Sequence, residues 1–342
     1  MSDNSLDVVE LFKQELTLCG VGLGQTVAVL APQGSMQDRA EGFLTAARAL
    51  GADGYILTLP GPRAELYDLS TNALTGRREV IEFLKSSANL VVDLVLLLFS
   101  PEQLELQAAG CRVLLVVEPT PILRRLLPNE DLKRRTVAAA EQLGNASELR
   151  ITSEAGTDVT YKLGAYPVLV EYGYADEPGR WDHWPGGLVA THAYDDGVDG
   201  TIVLNTGDVL LLPVLRYVCD PITLVVEKGF ITEIVSDGLD AMFMRDFFPD
   251  PSVDRNAWAI SHVGWGLNRE ARWAVHDIPG LFGMDHRAFW GNVMISTGPN
   301  TEFPGGTRET PFHLDIPMRG CSLYLDGELV VDGGRLAVPA QA

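Results

Sequence analysis

The first half of the chain alternates between helical hydrophobic spacing and short apolar runs. Helical spacing predicts helices over residues 7–18, 37–50, 77–85 and 132–143, with a further one beginning at Pro101. Apolar runs predict strands at residues 26–30, 55–59, 91–99 and 113–117. Because helices and strands alternate, residues 1–148 are predicted to form an open α/β domain with a parallel sheet.

The second half changes to short strands separated by Gly, Pro or Asp. Strands are predicted at residues 150–152, 159–163, 201–204, 224–226, 230–235 and 323–325. Asp326-Gly327 lies between two apolar runs and predicts a two-residue hairpin turn. Residues 149–342 are therefore predicted to form a second domain, α+β and mainly antiparallel, and the chemistry is expected there because it holds all six histidines.

The charge balance excludes several classes of partner. The 342 residues carry a net charge of −20, which would repel nucleic acid and anionic membranes. No apolar run approaches the roughly 20 residues of a membrane span, and the acidic N-terminus lacks the features of a signal peptide. A cytoplasmic protein is expected, with four singly placed cysteines that suggest neither a zinc knuckle nor a disulfide framework.

The segment Thr310-Pro-Phe-His-Leu-Asp-Ile-Pro317 is the strongest candidate for chemistry. It has the pattern of a strand, in which His313 and Asp315 share one face and apolar residues occupy the other. An imidazole and a carboxylate on one face can bind a divalent cation, although an exposed polar face would look the same. His262, in an apolar strand-like context, is the candidate for the third ligand.

Two segments combine aromatic residues, glycine and histidine in the manner of a pocket lining. They are Trp181–Val189, which contains Trp184, and Ala259–Asn268. Glycine allows the backbone to approach a ligand and tryptophan can pack on a flat ring, whereas ordinary packing of turns is the alternative. Nucleophile motifs and a phosphate-binding loop are absent, so a metal site of scattered histidines and carboxylates is the chemistry that remains.

The order of these motifs resembles a known fold. The α/β domain is followed by Trp-Pro-Gly-Gly187, Gly197-Val-Asp-Gly-Thr-Ile-Val203, Gly264-Trp-Gly-Leu-Asn268 and His313-Leu-Asp315. This order is similar to that of the aminopeptidase T-like fold, and within it to the 2,5-dihydroxypyridine 5,6-dioxygenases. The resemblance implies an Fe(II)-dependent extradiol-type dioxygenase that opens 2,5-dihydroxypyridine with O₂ to give N-formylmaleamate in nicotinate or nicotine catabolism.

The resemblance also implies roles for individual residues. His262, His313 and Asp315 become the ligands of one Fe(II), leaving one face open for the ring and O₂. A base must deprotonate the ring hydroxyl; His192 is the first candidate and His183 the second. Family members carry a histidine just before the Ser-Pro-Glu-Gln segment, where this chain has Phe99, so the base is expected to differ here. The substrate-binding candidates are Ser296, Asn300 and Trp184.

Two other functions stay open on sequence grounds. The aminopeptidases of this fold bind paired metals partly through a glutamate just after Pro-Gly-Gly, where this chain has Leu188. A divergent two-metal aminopeptidase and a metal-free binding relative are therefore the alternatives. The expected partners are a small aromatic N-heterocycle and O₂, and a homo-oligomer is expected although the sequence does not fix its size.

Overall fold

A computed structural model describes residues 3–60, 71–211, 215–275 and 281–341. Its described residues fall into two compact units. Unit 1 lies within Met1–Glu130, Glu171–Gly186 and His276–Phe282, and unit 2 lies within Asp131–Val170, Gly187–Val275 and Gly283–Ala342. The single predicted boundary after residue 148 differs from this division, because the chain leaves unit 1 earlier and then returns to it.

The elements are numbered in chain order. The helices are α1 (Asp3–Leu18), α2 (Gln37–Ala49), α3 (Arg78–Ser87), α4 (Pro101–Ala108), α5 (Thr120–Arg125), α6 (Glu130–Asn145), α7 (Leu239–Phe247), α8 (Met284–Arg287) and a 3₁₀ helix at Arg255–Trp258. The strands are β1 (Thr26–Pro32), β2 (Asp53–Leu59), β3 (Leu90–Asp93), β4 (Arg112–Leu115), β5 (Glu148–Ser153), β6 (Asp158–Lys162), β7 (Leu169–Glu171), β8 (Trp181–His183), β9 (Leu188–His192), β10 (Val198–Leu204), β11 (Val209–Leu210), β12 (Arg216–Tyr217), β13 (Ile222–Glu227), β14 (Phe230–Ile234), β15 (Ile260–Gly266), β16 (Val293–Thr297), β17 (Leu314–Met318), β18 (Cys321–Leu325), β19 (Glu328–Asp332) and β20 (Arg335–Leu336). No helix within the described ranges is long and apolar enough to cross a membrane.

Unit 1 is an open parallel sheet with helices between its strands. The strand order is β2-β1-β3-β4-β8, and the pairings of β1 with β2 and β3, of β3 with β4, and of β4 with β8 are all parallel. Strands β3 and β4 are buried along their whole length, as expected for the centre of such a sheet. The predicted α/β domain is confirmed, and β8 joins it from the later part of the chain.

The apolar run at residues 91–99 does not form the single long strand that its composition suggests. Strand β3 ends at Asp93, whose buried carboxylate accepts hydrogen bonds from the backbone N–H groups of Val95 and Leu97. Leu96 and Phe99 take the left-handed backbone conformation, with φ of 61° and 56°. Local hydrogen bonds between a side chain and the backbone therefore turn the chain where hydrophobicity alone predicts an extended strand.

Unit 2 is built from antiparallel sheets, and the two largest share one hydrophobic core. An eight-stranded sheet has the order β14-β13-β10-β6-β5-β18-β19-β20, and a five-stranded sheet has the order β17-β16-β15-β9-β7. Buried side chains of both sheets, such as Ile151 and Ile295, belong to the same hydrophobic cluster. The predicted hairpin is present, with positive φ at Asp326 and Gly327. The predicted mainly antiparallel second domain is confirmed.

The five-stranded sheet positions the candidate ligands. Strand β15 pairs with β9 so that His262 lies opposite His192. On the next pair, Ser296 of β16 lies opposite Asp315 of β17. The register between β15 and β16 shifts between Ile260 and Val263, which marks a bulge at the position of His262. Adjacent strands thus bring residues that are distant in sequence to one end of the sheet.

Gly264 permits the close approach of β15 and β9. A Cβ atom at this residue would lie 1.9 Å from the carbonyl oxygen of Val189. We expect Gly264→Ala to destabilise the protein by at least about 3 kcal/mol, because the backbone of a buried strand pair would have to separate. Urea unfolding of the purified protein measures this change.

Gly22→Ala is the control, since a Cβ atom there would meet nothing within 4 Å. We expect that variant to stay within about 1 kcal/mol of the wild type. Equal stability of the Gly264→Ala variant and the wild type would show that the two strands do not pack as described.

Candidate metal centre

Two imidazoles and one carboxylate converge at the end of the five-stranded sheet. His262 lies on β15, Asp315 on β17, and His313 immediately before β17. The Nε2 atoms of both histidines lie 3.1 Å from Oδ1 of Asp315. The three residues named from the sequence as metal ligands are therefore brought together in unit 2.

These three donor atoms fit a divalent metal ion. Oδ1 of Asp315 is buried and accepts no hydrogen bond from any residue that the structure describes, although two imidazole nitrogens lie beside it. When two ligands bind one metal ion at roughly 2.1–2.2 Å and the angle between them at the metal is a right angle, their donor atoms are about 3.0–3.1 Å apart. This is the spacing seen here. A metal cation between the donors would pair with this buried carboxylate oxygen, as a protonated histidine can do without a metal.

Further contacts fix the directions of His313 and Asp315. Nδ1 of His313 donates to the carbonyl oxygen of Thr297 at 3.1 Å, so Nε2 is the nitrogen directed at Asp315 and the one that can bind a metal. Nε of Arg287 donates to Oδ2 of Asp315 at 2.7 Å, which turns Oδ1 towards the histidines. Arg287 and Asp315 are both buried, so this ion pair holds the carboxylate strongly.

The same contacts shift the pKa values of the metal-free protein. Burial alone would raise the pKa of Asp315, but the Arg287 guanidinium and His313 hold it well below its usual range. Burial would lower the pKa of His313, whereas the carboxylates of Asp315 and Glu302 raise it to about 9. Without a metal, His313 is therefore protonated at neutral pH and acts as the cation of the cluster.

His192 lies beside the same cluster. Its side chain is 2% exposed, and its ring packs edge-on against Phe303 with the ring centroids 4.6 Å apart. Its Nε2 atom has no hydrogen-bond partner within the described part of the chain and lies 4.0 Å from Oε2 of Glu302. Burial, and then the neighbouring His262 and Arg308, lower its pKa to about 2, so the imidazole is neutral at pH 7.

Glu302 is a member of the cluster that the sequence did not reveal. Its Oε1 atom lies 3.5 Å from Nε2 of His313, and its Oε2 atom lies 3.6 Å from Nε2 of His262. His262, Glu302 and His313 offer ligand atoms that all lie within 4.8 Å of one another. The available signal was a carboxylate in a glycine- and proline-rich loop just before the His313 segment, which periodicity does not mark.

Ser296 and Asn300 lie near the cluster but have structural partners. Oγ of Ser296 accepts the backbone N–H of His262 at 2.9 Å and donates to its carbonyl oxygen, so it closes the bulge behind that residue. Nδ2 of Asn300 donates to Tyr166 and Asp195, and its Oδ1 accepts the backbone N–H of Arg308. Both side chains are fully buried, and these bonds occupy the groups that would have faced a substrate.

The structure places His183 and Trp184 in unit 1. The His183 ring packs against Phe282, with the ring centroids 5.5 Å apart. Trp184 is fully buried, and the edges of Phe12 and Phe43 meet its ring. Its indole N–H donates to the carbonyl oxygen of Leu126 at 3.3 Å. Trp184 is thus a core residue of unit 1 with no exposed surface for a ligand.

Comparison with known proteins assigns the chain to a family. The family model described as 2,5-dihydroxypyridine 5,6-dioxygenase matches residues 7–338. The chain belongs to this family. A curated 2,5-dihydroxypyridine 5,6-dioxygenase of Pseudomonas putida KT2440 is 44% identical over 355 aligned positions, which cover 100% of this chain and 99% of the relative. The family predicted from the motif order is therefore confirmed.

Solved structures agree with the fold. The structure of the 2,5-dihydroxypyridine dioxygenase from Pseudomonas putida KT2440 superimposes with a TM-score of 0.92 at 43% identity, covering 99% of both chains. Wild-type AmpT from Thermus thermophilus superimposes with a TM-score of 0.64 at 16% identity, covering 97% of this chain and 99% of AmpT. The predicted aminopeptidase T-like fold is confirmed, and the likeness to AmpT concerns the fold alone.

The role of Ser296 can be tested by separating metal binding from substrate binding. We expect Ser296→Ala to weaken Mn(II) binding by about tenfold, because His262 loses the bond that fixes its backbone. The KM for the ring substrate at saturating metal should stay unchanged. Ser322→Ala is the control, since that serine accepts a backbone N–H on the other sheet. If Ser296→Ala raises the KM and leaves the metal affinity unchanged, the result would support the predicted contact between Ser296 and the substrate.

Metal binding should release a proton, because His313 must lose its proton to become a ligand. With a pKa of about 9 in the metal-free protein, His313 is protonated at pH 7.5. The apparent affinity for Mn(II) should therefore rise about tenfold per pH unit until about pH 9. Calorimetric titration in two buffers of different ionisation enthalpy measures the protons released.

We expect about one proton per metal in the wild type and in the control His286→Gln, whose histidine is buried away from the cluster against Trp273. A wild-type titration that releases no proton would show that His313 is not a ligand.

Proposed function

We propose that the protein opens the ring of 2,5-dihydroxypyridine between C5 and C6 with O₂, using one Fe(II) ion, to give N-formylmaleamate. The activity named for the relative that is 44% identical along the whole chain supports this substrate. Both oxygen atoms of O₂ enter the product, so the reaction needs no external reductant. We also propose that the protein is cytoplasmic, acts in the catabolism of pyridine compounds and forms a homo-oligomer.

The observation that carries the proposal is the convergence of His262, His313 and Asp315 on one point. Two imidazoles and one carboxylate are the donor set of non-haem Fe(II) oxygenases, which leaves one side of the ion open. Fe(II) held there would supply coordination positions for the ring and O₂ and a path for electrons between them. Arg287 and Thr297 keep the donors aimed at that point before any ligand arrives.

His192 is the proposed acceptor for the proton of the ring hydroxyl. Its neutral imidazole can accept a hydrogen bond, and its Nε2 atom has no other partner among the described residues. With a pKa of about 2, it would hold a proton only when a negative charge stabilises the imidazolium. The carboxylate of Glu302, 4.0 Å away, is placed to do this. His183 stays the second candidate.

Replacing any one of His262, His313 and Asp315 with Ala should remove bound Fe(II) and ring opening together. The assay follows loss of the ring's near-ultraviolet absorbance and oxygen uptake in protein reconstituted anaerobically with Fe(II). We expect one O₂ consumed for each ring, with no added reductant or 2-oxoglutarate. His286→Ala is the control, because that histidine is fully buried but contacts Tyr217 and Trp273 instead.

Three outcomes would count against the proposal. Stoichiometric iron in both His313→Ala and Asp315→Ala would remove the assigned ligands. Opening of a catechol or gentisate-like ring but not of 2,5-dihydroxypyridine would keep the iron chemistry and change the substrate. Turnover of aminoacyl anilides by zinc-, cobalt- or manganese-loaded protein would favour a two-metal aminopeptidase. We do not expect this turnover, because Leu188 is buried in β9 and offers no ligand.

A further inference from the structure

Glu302 stands opposite the predicted ligands with one oxygen directed to each histidine. Oε1 is 3.5 Å from His313 and Oε2 is 3.6 Å from His262, whereas Asp315 approaches both rings through a single oxygen. The glutamate therefore faces the same point as the other three donors. Its side chain is 9% exposed, so water screens its charge only weakly.

The loop that carries Glu302 is closed and anchored. The backbone N–H of Asn300 donates to the carbonyl oxygen of Arg308 at 3.1 Å, and the Arg308 N–H donates to Oδ1 of Asn300 at 2.8 Å. A Cβ atom at Gly306 would lie 1.9 Å from the Asn300 carbonyl oxygen, so the loop is tightly folded on itself. Phe303 is buried against His192. These contacts hold in place the backbone that carries the carboxylate.

The charges around Glu302 change when a metal binds. Asp315 has Arg287 as its partner, but within the described residues the ionisable groups facing Glu302 are His192, His262 and His313. Two of these histidines must be neutral to bind a metal. A largely buried carboxylate would then lack a counter-charge unless the metal itself provides one.

We propose that Glu302 is a fourth protein ligand of the metal in the substrate-free protein and that the ring substrate displaces it. The displacement step rests on the proposed function. Three protein ligands leave three positions of an octahedral ion, and Glu302 fills part of that open side. Two carboxylates also neutralise the charge of a divalent ion. The Glu302 side chain thus occupies the open side of the metal until the ring substrate replaces it.

Competition between Glu302 and substrate has a thermodynamic signature. If both bind the same position, removing the carboxylate weakens metal binding without substrate and tightens substrate binding to the metal-loaded protein by the same factor. A residue that only supports the fold would weaken both. The two effects of opposite sign therefore separate a displaced ligand from a structural residue.

The experiment measures both affinities in the full-length protein. Mn(II) is titrated into metal-free wild type, Glu302→Gln, Glu302→Asp and the control Glu309→Gln, whose exposed side chain lies on the same segment. We expect Glu302→Gln to weaken Mn(II) binding at least about tenfold, Glu302→Asp to recover part of the loss, and Glu309→Gln to match the wild type. Anaerobic binding of 2,5-dihydroxypyridine to the Mn(II)-loaded proteins should be tightened in Glu302→Gln.

The proposal would be overturned if the Glu302→Gln variant binds Mn(II) as tightly as the wild type and has the same thermal unfolding curve. Weakening of both metal and ring binding would overturn the displacement step. If the wild type binds Mn(II) but not 2,5-dihydroxypyridine, the proposed substrate fails, and the metal titration still decides whether Glu302 is a ligand.

Discussion

The buried carboxylate of Asp315 is the group on which the candidate site depends. One of its oxygens is satisfied by Arg287, and the other faces two imidazoles without accepting a hydrogen bond. Such an arrangement is costly in an apolar core unless a cation completes it. The rest of unit 2 supplies this geometry: β15 and β17 flank β16, and the bulge on β15 turns His262 to the same point.

The sequence predicted the parts of the site that a regular strand determines. His313 and Asp315 are two residues apart, and strand alternation places such a pair on one face without further information. His262 was named as a candidate from its apolar strand-like context, but its place beside His313 and Asp315 depends on the pairing of β15 with its neighbours, which is a long-range property. Glu302 was missed since it lies in a loop, where its position depends on the Asn300–Arg308 closure and not on a repeat.

Three of the features interpreted from the sequence have structural partners for one physical reason, which is that polar and aromatic side chains also bond the backbone and fill the core. Ser296 bonds the backbone of His262, and Asp93 turns a chain that hydrophobicity predicts to be extended. Trp184 belongs to the core of unit 1 because β8 adds to the parallel sheet. Composition identified these residues as unusual, but only the tertiary partners determine whether they bind a ligand or the protein itself.

The likeness to AmpT concerns the backbone. At 16% identity the fold is retained with a TM-score of 0.64, so it does not require a closely similar sequence. In this chain β9 carries the apolar Leu188 at one end and His192 at the other, and both are buried. A carboxylate at residue 188 would add an acidic donor, whereas leucine leaves the acidic donors to Asp315 and Glu302. In the proposed site, Asp315 and Glu302 both face the Nε2 atoms of His262 and His313, and donors that share one point suit a single metal ion better than a pair.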